Sequence, residues 1–156
     1  MSDEVNELFR ALIEEFAAEA GLVMQDDSLG IEFEVEGHVT LIVPDPRRTT
    51  RMLIDVSVLS LPDVQANLLR VLHQLNHAAR LEHDWVITIN TADRLCLHTQ
   101  CEIAACKASD LQSLLIEGIE RAQALHTFWQ QLVESSASGP LQASLALPEL
   151  SRIIRG

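Results

Sequence analysis

Three histidines, His73, His77 and His83, stand in the stretch HQLNHAARLEHDW with the spacing of a zinc hydrolase's ligands, H-E-x-x-H-x-x-G-x-x-H. On a helix His73 and His77 share one face, because residues four apart are neighbours. The chemistry also needs a general base beside the metal-bound water. The motif supplies a glutamate there; this chain has Gln74, which cannot take up a proton as a carboxylate does. The motif's glycine lets the chain turn so the third histidine reaches the metal; this chain has Arg80, which suits a continuing helix. A metal-binding or hydrolytic domain built on these three residues therefore stands as an alternative lacking its base and its turn. The His73–His77 pair by itself suits only adventitious binding of a transition metal.

Other reactive pairings are equally generic. Cys96 and Cys106 each invite comparison with a thiol enzyme, but a cysteine on an apolar strand is more often a small buried hydrophobe. His98 has Asp93 and Asp110 as paper partners for acid–base work. Three cysteines without C-x-x-C spacing read as reduced thiols. The six glycines form no phosphate loop, and no cofactor is expected.

The elements that would carry these residues are legible. Residues 3–21 alternate as an amphipathic helix, with Val5, Leu8, Phe9, Leu12, Ile13, Phe16, Ala17 and Ala20 on one side and Gly21 as its stop. The period then drops to two: Ile31, Phe33 and Val35 oppose Glu32, Glu34 and Glu36. Glu36-Gly37 predicts a tight turn into a second strand over 38–43. A third strand follows over 52–59. The segment SLPDVQANLLRVLHQLNHAARL predicts a second helix, with Ser60 and Asp63 spaced as a capping box. Its apolar stripe, which includes Leu68, Leu72 and Leu75, is broader than one buried face needs. WVITIN and RLCLHTQC read as two more strands. A second capping box, Ser109 and Gln112, opens a long last helix. The expectation is an α+β domain in the order α-β-β-β-α-β-β-α, with three helices on a mostly antiparallel five-stranded sheet. It spans 1–136 and leaves 137–156 as a tail: a loop, then a short apolar segment interrupted by Pro148.

Composition narrows the function. A chain of 156 residues fits one domain, and 47% hydrophobic with 22% charged residues is ordinary for a globular protein. The net charge is −12, of which −10 falls within residues 1–36. That balance argues against nucleic acid or an anionic membrane surface as the main partner. No signal peptide or membrane-spanning run is evident. Aliphatic residues on both strand faces, Ile42, Leu53, Leu59 and Val86 among them, suggest an exposed apolar patch that binds a partner.

The order of elements, the AGL that ends the first helix, the LHQLN of the second (Leu72, Leu75, Asn76), VITINTADRLCLHTQC and the closing FWQQL (Phe128, Trp129, Leu132) resemble the class I type III secretion chaperones of the Tir chaperone family. The resemblance covers residues 5–134. It implies a non-enzymatic, cytoplasmic homodimer from a Gram-negative bacterium, formed through the second helix and the next strand; Leu68, Leu72, Leu75, Asn76 and Val86 are the interface candidates. It implies partners too: the N-terminal segment of one or more secreted effectors, and the secretion ATPase that receives it. Phe33, Ile42, Leu53 and Leu59 are the effector-binding candidates. The tail and the histidines depart from the family pattern. A multi-effector chaperone of plant pathogens is one subgroup that fits, and a regulatory adaptor of the same fold is the remaining alternative.

Overall fold

The computed structural model describes residues 3–24, 30–61, 69–76 and 85–137. The elements are α1 (Asp3–Ala20), β1 (Ile31–Val35), β2 (His38–Pro44), β3 (Arg51–Ser60), a helical stretch over 69–76 that we call α2, β4 (Val86–Ile89), β5 (Arg94–Glu102), a 3-10 turn (Ile103–Ala105) and α3 (Ala108–Ala137). The sheet has five strands in the order β1-β2-β3-β5-β4, so β1 and β4 are its edges. This is the α+β arrangement expected above. No described helix is long and apolar enough to cross a membrane.

Local chemistry explains the boundaries. α1 ends in a Schellman motif: Gly21 has φ +68°, Leu22 N–H donates to the Ala17 carbonyl (2.8 Å) and Gly21 N–H to that of Ala18 (3.4 Å). Glu36 and Gly37 both have positive φ, 53° and 84°, as a two-residue type I′ hairpin requires. That turn sets Val35 opposite His38 and, by register, Ile31 opposite Ile42. Asn90 closes the β4–β5 turn by accepting the amides of Ala92 and Arg94, each at 3.0 Å.

The last helix differs from expectation at its start. It begins at Ala108, one residue before Ser109, and the cap is made by Asp110, whose carboxylate accepts the Lys107 amide (3.1 Å). This is the reach-back half of a capping box, with the acid at the third helical position. The box predicted from Ser60 and Asp63 falls at a position outside the described residues, and Ser60 itself ends β3.

Packing divides the described residues into two compact units, one within 1–56 and 98–119, the other within 57–97 and 120–137. In the first, the buried stripe of α1 is Phe9, Leu12, Ile13, Phe16 and Ala17, while Leu8 is exposed. Its strands bury Ile31, Ile42, Met52, Ile54 and Val56, and α3 adds Leu111 and Leu115. In the second, the core comprises Val58, Leu61, Val71, Leu72, Leu75, Trp85, Ile87, Leu95 and Leu97, with Ala122, Leu125, Phe128, Trp129 and Leu132 from α3. The terminal FWQQL is therefore a packing motif, three of its residues pointing inward at helical spacing.

Candidate partner-binding surface

β3 alternates strictly in burial: Met52, Ile54, Val56 and Val58 are buried, while Arg51, Leu53, Asp55, Ser57 and Leu59 are partly exposed. In the first unit this half-open face carries polar pairs on β3 and β5. His98 Nδ1 lies 2.7 Å from an Asp55 carboxylate oxygen, across 43 residues of sequence. Arg51 binds Glu102 through Nε and donates through Nη1 to Gln100 (3.2 Å). His98 thus takes neither Asp93 nor Asp110; the sheet delivers Asp55 instead.

The hydrogen bond to Asp55, aided by the charges of Asp55 and Asp45 and opposed by burial, holds His98 above the ordinary imidazole value. A raised folded-state value means the pair stabilises the fold below the unfolded imidazole pKa, and that contribution is lost as pH rises through the folded one. We expect Asp55→Asn to remove this pH dependence from the unfolding free energy. The pair is partly solvated, so the amplitude should stay below about 1 kcal/mol. Urea unfolding between pH 5 and 9, with the same slope for both proteins, would show the pairing is unimportant.

Burial pushes the Cys101 thiol up to about 12 and raises Cys106, so both stay protonated at neutral pH. Cys96 is buried. Among the described residues no cluster of three or more histidine, cysteine or acidic side chains is placed to hold a metal. His73 is exposed; His77 and His83 lie outside the described residues.

The aliphatic candidates separate by strand face. Ile42 is fully enclosed (0% exposed), so it packs the core and cannot offer its side chain to a partner. Phe33 faces the same way and stacks at a tilt on Phe16, ring centroids 5.9 Å apart. Leu53, half-buried, is on the open face, where Val43 is its cross-strand partner and Leu41 that of Asp55. Leu59 is half-buried in the second unit. Sequence reasoning missed Val39, Leu41 and Val43. Their signal was the turn at Glu36-Gly37, which fixes the register and hence the face of every β2 residue. A groove of about 210 Å³ in the first unit is lined by Asn6, Glu7, Phe9, Arg10, Ile13, Met24 and Gly30.

The interface candidates separate as well. Leu72 and Leu75 are buried within the single chain, the latter at 1% exposure. Val86 is half-buried, and Leu68 lies outside the described residues. Leu69, 46% exposed, is the large apolar side chain that α2 presents outward. Asn76 serves the chain itself: its amide donates to the Ile87 carbonyl (2.6 Å) and accepts the Ile87 amide (2.7 Å).

The same fold recurs in several solved structures. The HopA1-SchA chaperone-effector complex matches with a TM-score of 0.66 at 11% identity, covering 81% of this chain and 99% of that one. The ExsC-ExsE complex matches at 0.65 and 17% identity, with 81% and 94% coverage. The Yersinia pestis type III secretion chaperone SycH, solved with a stable fragment of YscM2, matches at 0.57 and 20%, with 75% and 98% coverage. No curated protein sequence matches this chain. The model of the Tir chaperone protein (CesT) family matches residues 11–126, and the chain belongs to that family.

Proposed function

We propose that this protein is a type III secretion chaperone. It binds the N-terminal segment of one or more secreted effectors as a homodimer in the bacterial cytoplasm, keeps that segment from folding, and delivers it to the secretion apparatus and its ATPase. It catalyses no reaction and uses no cofactor. The observation that carries this reading is the half-open apolar face of β2 and β3 in a member of the Tir chaperone family; one chaperone of this fold, in the HopA1-SchA complex, has been solved with its effector. An apolar surface left partly uncovered on an acidic domain is the expected form of a site for an unfolded guest, soluble until occupied. For the dimer, Leu69 and Val86 offer apolar surface in the second unit that is left partly exposed among the described residues.

Two measurements test the proposal. Light scattering after size exclusion should give twice the chain mass; a strict monomer at micromolar concentration would remove the dimer. Co-expression with secreted proteins of the source organism should yield complexes that vanish when the partner's N-terminal segment is deleted. Complexes that survive the deletion would mark an adaptor for folded proteins instead.

A further inference from the structure

We infer that the open strip on β2 and β3 is built for a basic amphipathic guest, a segment whose apolar row is bordered by lysine or arginine. This rests on the chaperone reading above and adds the guest's charge pattern. Cross-strand partners in a pleated sheet share a face. Glu32 is paired with Leu41 and Glu34 with Val39; Leu41 is paired with Asp55 and Val43 with Leu53. Val39, Leu41, Val43 and Leu53 therefore form one apolar strip, all half-buried, with exposed Glu32 and Glu34 along its β1 border.

The two borders differ in charge. On the β5 side the acids already have side-chain partners, Asp55 in a hydrogen bond with His98 and Glu102 in an ion pair with Arg51. On the β1 side neither Glu32 nor Glu34 has an ion pair among the described residues. β1 is also a sheet edge, so these carboxylates form the outer rail of the strip. An apolar guest lying on the strip displaces water beside that rail, which strengthens attraction to a cation and repulsion of an anion. A lysine-bordered segment satisfies the rail; a glutamate-bordered one places like charges side by side.

The test uses the full chain and two fluorescein-labelled synthetic peptides of equal length and identical leucine rows, one bordered by lysine and one by glutamate, titrated by anisotropy. The lysine peptide should bind at least about tenfold more tightly. Glu32→Lys/Glu34→Lys should abolish or reverse that preference. Glu14→Lys/Glu15→Lys, the same charge change on exposed positions of α1, should leave it in place. Leu41→Asp should release the lysine peptide from a protein whose circular dichroism shows it folded. The inference is overturned if neither peptide binds, if the α1 variant loses the preference as fully as the β1 variant, or if Leu41→Asp binds unchanged. The chaperone reading fails separately, when no partner depends on its N-terminal segment for capture; effector capture that ignores the rail variants would leave that reading standing and sink only this one.

Discussion

Leu75→Asp is expected to unfold the protein rather than merely split a dimer. Leu75 is 1% exposed within its own chain, among the core residues of the second unit. Truncating such a leucine costs about 2–5 kcal/mol. A carboxylate in its place adds a desolvation penalty with no partner charge to offset it. The total is comparable with the whole stability of a domain this size, about 5–15 kcal/mol. Leu69→Asp is the comparator, because that side chain is 46% exposed on the same helical stretch. It should keep the native circular dichroism and melting temperature while lowering the mass seen by light scattering. A folded Leu75→Asp protein with only its mass changed would place Leu75 in the dimer seam and contradict the packing described above.

Asn76→Ala should cost about 2–6 kcal/mol, an unusual sum for one half-buried polar side chain. The amide of Asn76 satisfies both the N–H and the C=O of Ile87. In an antiparallel strand the two backbone groups of one residue point to the same side. β4 is an edge, and its partner β5 lies on its inner side, so Asn76 occupies the outer edge where another strand would otherwise bond. Losing it strands a donor and an acceptor, each worth about 1–3 kcal/mol where water cannot replace the partner. Asn76→Asp is the sharper variant. It keeps the acceptor for the Ile87 amide but sets a second carboxylate oxygen against the Ile87 carbonyl, so it should destabilise as much as alanine despite its near-identical shape. Hydrogen exchange at Ile87 should separate them, with the amide faster in Asn76→Ala than in Asn76→Asp. Melting temperatures for both variants within a degree of the parent would mean that water substitutes for the side chain.

Asn76 also shows what a motif conceals. The LHQLN pattern was readable, and it pointed to the right family. Its leucines looked like a surface for pairing two subunits, because the apolar stripe was wider than one face needs. Among the described residues, Val71, Leu72 and Leu75 turn inward, and Leu69 is left outside. A helix stripe specifies which residues share a side, and says nothing of whether that side meets its own sheet or another molecule.

The sequence alone determined the periodic and the local. Switches of period from 3.6 to 2 marked the helices and strands. The Gly21 stop and the Glu36-Gly37 turn follow from which residues tolerate positive φ. The histidine motif lacks the glutamate and the glycine, the base and the turn that zinc hydrolysis needs. Tertiary structure decided what depends on residues distant in sequence. It gave His98 Asp55 as partner, buried Ile42 while opening Leu41 and Val43, and set Glu32 and Glu34 beside an apolar strip that no linear pattern displays. The physical reason is register: one hairpin turn and one antiparallel pairing fix every cross-strand neighbour at once, and a shift of one residue would exchange the two faces of the strand.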